Sequence, residues 1–142
     1  MELSKDTMVL MADGSFKAIQ EIRIGERVMS GNRSNAIRDI ITGLEEFIVA
    51  IKIDSGQELC ITKSSFIETK DGVIRAGKLC LSDFVKTVNG FEEVVEIRKI
   101  RYNNKIYILS LDDVSSPTYI ANKIFIVGDM NWMNSQYNAV GQ

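Results

Sequence analysis

The sequence contains no histidine, one proline and one tryptophan among its 142 residues. The missing histidine removes whole classes of chemistry: Ser-His and Cys-His nucleophile pairs are excluded, and so is every His-ligated metal site. Cysteine is scarce as well. Cys60 and Cys80 stand too far apart for the CxxC spacing of a zinc ribbon. Leu59 and Ile61 flank one, and Leu79 and Leu81 flank the other, which predicts two buried, inert thiols. Charge of one sign is also lacking. The net charge is −2, without the basic surplus that a nucleic-acid partner requires. No apolar run approaches the ~20 residues of a membrane-spanning helix. The stretch Met1-Glu2-Leu3-Ser4-Lys5-Asp6 is charged and has no apolar signal core. Two cysteines and no signal favour the cytoplasm. If Met1 is the natural start, nothing lies upstream to be transferred or cleaved. Asp112-Asp113 reads as a solvated turn, so neither a metal nor a cofactor is expected.

What is present is strand-like. Apolar residues make up 45% and charged residues 25%, a globular balance that points to one domain with one core. Alternation dominates at Phe47–Ile53 and Lys105–Leu111, and Ile124–Val127 is a short apolar run. Stretches this short and β-branched favour strands. Asp13-Gly14, Asp54-Ser55-Gly56, Asp71-Gly72, Asn89-Gly90 and Asn103-Asn104 supply turn signals between them. Helical patterning is thin. Ala18–Ile24 has room for one turn, and Asn35–Glu46 carries helical spacing that Thr42-Gly43 interrupts. The prediction is an all-β domain over residues 1–130, followed by a polar tail over 131–142.

The chain also repeats itself. Asp13-Gly14-Ser15-Phe16-Lys17-Ala18 matches Asp71-Gly72-Val73-Ile74-Arg75-Ala76, and Ile22–Val28 matches Leu79–Val85 one residue out of step. Each copy reads as a turn, a strand, a short helical turn and a second strand. Two such copies predict a pseudo-twofold β-domain.

These residues resemble the Hint family, the module shared by inteins, hedgehog autoprocessing domains and bacterial intein-like domains. Asp6–Ile19 and Ile22–Ser30 resemble its opening block. Ser55–Thr62, with Asp71-Gly72 and Ala76-x-x-Leu79, resembles its central Thr-x-x-His region. Ile106–Leu111 and Tyr119–Ile124 resemble its closing block. The likeness runs from about residue 2 to residue 128, in the order of a minimal member without an inserted endonuclease. It implies a horseshoe-like, pseudo-twofold, all-β fold with short helical turns.

The resemblance also implies chemistry. In the family a first-residue Cys or Ser attacks its own preceding carbonyl, the Thr-x-x-His pair polarises and protonates the scissile amide, and a terminal His-Asn cuts the far junction. Carried over residue by residue, the nucleophile position falls at or near Glu2, the central pair at Thr62 and Ser65, and the terminal pair at Val127 and Gly128. Only Thr62 keeps the family's residue type. Ile108 stands where splicing members often carry Asp. The expectation is a Hint scaffold without its catalytic side chains, retained to hold an extended peptide or a flanking protein segment.

Two other readings stay open. A self-processing domain with non-standard residues has Ser4, Thr7, Cys60 or Cys80 as nucleophile, and Asn131 or Asn134 as a cyclising asparagine. An unrelated all-β domain has the repeat and the ordered blocks against it.

Overall fold

The computed structural model describes residues 2–115 and 117–128. The polar tail, with Asn131 and Asn134, lies outside the described residues. Twelve strands and two 3₁₀ turns make up the described chain. They are β1 (Glu2–Ser4), β2 (Met8–Leu10), β3 (Phe16–Ala18), a turn at Ile19–Glu21, β4 (Arg27–Ser30) and β5 (Arg33–Ile53). Then come β6 (Glu58–Ile61), β7 (Phe66–Thr69), β8 (Gly72–Arg75), a turn at Ala76–Lys78, β9 (Phe84–Thr87) and β10 (Gly90–Leu111). β11 (Thr118–Ala121) and β12 (Ile124–Val127) close the fold. The fold is all-β, and every ladder is antiparallel.

β1–β5 and β6–β10 repeat one another down to individual hydrogen bonds. The Arg23 amide donates to Glu26 Oε1 at 2.7 Å, and the Cys80 amide donates to Asp83 Oδ2 at 2.8 Å. The Gly25 amide donates to the Ile37 carbonyl, as the Ser82 amide does to that of Val94. Burial repeats too: Val9 and Ile67, Val28 and Val85, and Ile37 and Val94 all lie in the core. The halves meet along the long β5–β10 ribbon and at the Leu3–Ile61 pair, which joins two equivalent positions. A twofold relation makes such a pair face itself.

The two Asp-Gly turns are equivalent but differ in length. Hairpin β2–β3 closes over Ala12, Asp13 and Gly14, whereas β7–β8 closes over Lys70 and Asp71 alone. The one-residue difference between the repeats therefore falls inside this loop. As a result Arg75, rather than Ala76, is the counterpart of Ala18, the residue before the 3₁₀ turn.

Several expectations need correction. Asn35–Glu46, with its helical spacing, lies in strand β5. Pairing with β4 at Asn35 and Ala36 and with β10 from Ile37 onward overrides local preference. Asn103-Asn104 is not a turn between strands. It is a bulge within β10, where register shifts between Arg101 and Asn104 and Asn103 adopts φ +47°. The thiols are not both buried either. Cys60 is half-buried because alternation in β6 turns it away from its buried neighbours Leu59 and Ile61, and Cys80 is exposed in the stretch that leaves the second 3₁₀ turn.

Candidate functional site

Short strands bring the five expected positions into one neighbourhood. The register pairs Glu2 with Ile108 and Leu3 with both Tyr107 and Ile61. One step further along the antiparallel β1–β6 ladder, the backbone of Glu2 faces the Thr62 end of β6. At that end the chain turns sharply, and the Ser65 amide donates to the Thr62 carbonyl at 3.1 Å. Beside Ser65, Phe66 pairs with Val127. Gly128 follows, and its missing side chain points at the carbonyls of Pro117 and Leu109, the latter next to Ile108. Glu2, Thr62, Ser65, Val127 and Gly128 thus ring one end of β1, β6 and β12.

Thr62 and Ser65 face each other. Their hydroxyl oxygens are 2.9 Å apart, and Ser64 Oγ lies 3.2 Å from Thr62 Oγ1. Both residues are buried. The Ser65 carbonyl accepts from the Ala76 amide at 2.7 Å, and the Lys63 carbonyl accepts from that of Gly77 at 2.9 Å, which locks this loop to the second 3₁₀ turn. A hydroxyl with an ordinary, very high pKa neither takes nor gives a proton readily at neutral pH. Val127 packs in the core, 4% exposed, leaving no open space for a polar side chain. The Gly128 amide donates to the Pro117 carbonyl at 2.5 Å.

The alternative nucleophiles fare no better on geometry. Ser4 and Thr7 are both buried with hydroxyls 3.2 Å apart, and the Thr7 amide donates to the Ser4 carbonyl. They are the first-half counterparts of Thr62 and Ser65. Thr7 serves its half as Ser65 serves the other, its carbonyl accepting from the Ile19 amide at 2.8 Å. The sequence analysis missed this correspondence, which is legible as Leu-Ser-Lys-x-Thr against Ile-Thr-Lys-x-Ser. Burial pushes the Cys60 thiol up, with the Glu58 charge adding to the effect and Arg98 opposing it. A thiolate there is disfavoured. Cys80 is exposed on the second 3₁₀ turn's exit, with Sγ 3.7 Å from the Lys78 carbonyl.

Two further residues stand out in the structure. Asn122, in the β11–β12 turn at φ +47°, accepts from the Met8 amide at 2.9 Å and donates to the Glu58 carbonyl at 2.9 Å. It ties three strands together. Tyr119 is fully buried with its hydroxyl unpartnered among the described residues, and burial raises its phenol well above the usual range. Among the described residues no group of three or more His, Cys, Asp or Glu side chains is placed to hold a metal. No described helix is long and apolar enough to cross a membrane.

No protein-family model matches the sequence, and no curated protein is significantly similar to it. Solved structures do match. The bacterial intein-like domain from Clostridium thermocellum superposes with a TM-score of 0.81 at 23% identity, over 89% of this chain and 98% of that one. A DnaB intein from Synechocystis sp. PCC 6803 gives 0.82 at 16% identity, over 90% and 98%. The gp41-1 intein gives 0.79 at 17% identity, over 89% and 98%. Two interlocked copies of five antiparallel strands, closed by β11 and β12 and superposable on these structures over nearly their full length, make this the intein-like Hint fold at the size of a mini-intein.

Proposed function

We propose that this chain is a Hint self-processing scaffold that no longer cuts, and that it holds an extended peptide or a flanking protein segment instead. The observation that carries the reading is what occupies the ring of five positions. The Thr62 hydroxyl, which in the family's pattern stands with a histidine, is closed onto the Ser65 hydroxyl at 2.9 Å. An acyl shift needs a nucleophile with an acceptable leaving group and a donor that protonates the departing amine. Glu2 offers a carboxylate, which forms no stable thioester. Ser65 and Val127 offer no donor of suitable pKa, and Gly128 offers no side-chain amide to cyclise.

The test is intact mass. The chain is fused to a short peptide before Glu2 and a second protein after its last residue, then incubated for days with and without dithiothreitol. The expected result is one uncleaved species in both. Release of the upstream peptide, or fragments ending near residue 128, 131 or 134, would replace this reading with self-processing by non-standard residues.

A further inference from the structure

The outer edge of β5 is open next to Thr62. β4 covers that edge up to Ala36 and β6 covers it from Val49 onward. Among the described residues no strand lies against Arg38–Ile48 on this side. In an antiparallel ladder every second residue of such a stretch turns its N–H and C=O outward.

The equivalent edge of β10, beyond the end of β1, is closed by the chain itself. Tyr102 Oη donates to the Lys105 carbonyl at 2.6 Å and accepts from the Lys5 amide at 2.8 Å. Asn104 Oδ1 accepts from the Lys105 amide at 2.7 Å. Gln20 fills the adjoining space, exchanging hydrogen bonds with the amide and carboxylate of Asp6. The bulge at Tyr102-Asn103 completes the closure, a common device for blunting a sheet edge.

By the internal symmetry, Glu45 stands where Tyr102 does, Lys63 where Lys5 does and Gly77 where Gln20 does. Neither the phenol nor the amide is repeated. In their place is a cavity of about 420 Å³ over Phe47, Val49 and Ile97, walled by the Thr62–Ser64 loop and Gly77. One copy of the repeat has capped its edge, and the other has left it empty beside a pocket.

We infer that the open edge of β5 at Glu45–Ile48 takes an extended peptide in trans as an added strand, with an apolar side chain over Phe47, Val49 and Ile97 and a basic one two positions away against Glu45. Strand addition draws affinity from main-chain bonds and specificity from pockets for alternate side chains, and this site has both. The lining carries Glu45 and Glu46 together with Lys63 and Lys99, and Lys99 Nζ lies 4.4 Å from the centre of the Phe47 ring, so the basic side chain is placed by Glu45 alone. Glu46 lies 3.7 Å from Arg101, while Glu45 has no ion-pair partner among the described residues. A second copy of the chain fits worse, because a twofold pairing of Glu45–Ile48 with itself sets Glu45 opposite Ile48 and brings it no basic partner. The inference rests on the peptide-holding reading above and assigns it a place.

The probe is a fluorescein-labelled peptide, Thr-Val-Thr-Leu-Thr-Lys-Thr, titrated into the ¹⁵N-labelled chain. Amide shifts and slowed hydrogen exchange are expected at Glu45–Ile48, Lys63, Ser64 and Gly77. N-methylation of alternate peptide bonds should weaken binding at least tenfold, a result that needs no protein variant. Glu45→Tyr should rebuild the cap seen at Tyr102 and also lose at least tenfold, whereas Glu45→Gln should lose only severalfold. Shifts confined to β8 or to the ring from Glu2 to Gly128 would overturn the assignment, as would full affinity of the N-methylated peptide. Self-association that protects Glu45–Ile48 without peptide, or no binding at millimolar peptide, would overturn it too. The non-processing reading stands or falls separately, on the mass of the fused chain.

Discussion

Replacing Gly128 by alanine asks whether the backbone itself has closed over the position that the Hint resemblance gives to a terminal asparagine. A Cβ on Gly128 would sit 2.6 Å from the Pro117 carbonyl oxygen and 3.5 Å from that of Leu109. Even a favourable C–H···O contact needs about 3.3–3.6 Å, so the Pro117 carbonyl must withdraw by about 0.7 Å. That movement pulls it off the Gly128 amide, to which it is bonded at 2.5 Å. The lost hydrogen bond costs about 1 kcal/mol, and forcing a methyl into packed backbone adds roughly 1–3 kcal/mol. A total loss of about 2–4 kcal/mol is expected. With a urea slope of about 1–3 kcal/mol per molar, the midpoint should fall by roughly 1–2 M, read by far-ultraviolet circular dichroism. Gly128→Asn should cost at least as much. For that reason Glu2→Cys, Ser65→His, Val127→His and Gly128→Asn together should not restore efficient release of a fused upstream peptide. An unchanged midpoint in Gly128→Ala would show that the end of β12 yields easily, and the argument from backbone closure would fall.

Other perturbations probe other parts of the structure. Tyr119→Phe removes a buried hydroxyl without a described partner and should raise stability by about 1–2 kcal/mol in the same urea assay; a loss instead would reveal a hidden acceptor. Gly25 and its counterpart Ser82 both adopt left-handed backbone, at φ +92° and +75°. Gly25→Ala should therefore cost about 1–2 kcal/mol, while Ser82→Gly should be neutral or slightly stabilising, a contrast that thermal melts resolve. Lys17, bonded to Glu26 at 2.6 Å, holds that carboxyl below its usual 4.5, helped by the Arg23 amide. A depressed folded-state pKa contributes stability above the unfolded value and loses it as pH falls through the folded one. The deficit of Lys17→Met should thus be a few tenths of a kcal/mol at pH 7, given the exposure of the pair, and vanish by about pH 2.

The repeat was readable because its turns and aliphatic positions are set by local chemistry. Asp13-Gly14 lies in one hairpin loop and Asp71-Gly72 closes the other, and Val28 and Val85 are both buried in the core. The ring of five positions was reached through the resemblance, and the register then brought those positions together. Long-range effects were not readable. Ile37, Ile40, Ile41 and Leu44 mimic a helix because a twisted two-stranded ribbon buries side chains unevenly on both faces, and only pairing with β10 makes them a strand. The Cys60 thiol was misjudged because flanking residues say little in a strand, where the neighbour faces the other way, and Cys80 because it lies outside any strand beside the exposed Leu81. The open edge at Glu45–Ile48 became visible only when the folded halves were compared, since it consists of what Glu45 and Gly77 do not supply.

Each half of the molecule keeps the other's short strand. β1 pairs with β10 and β6 of the second half, and β6 pairs with β5 of the first. During synthesis, Glu2–Ser4 therefore emerge long before Ile106–Ile108, their partners on β10. At 5–20 residues per second the wait is about 5–20 s, long on the timescale of hairpin formation. Throughout it Leu3, fully buried in the finished fold, lacks its β10 partner Tyr107. A nick in the loop between Ile53 and Glu58 would leave two fragments with complementary gaps in their sheets, each the missing piece of the other.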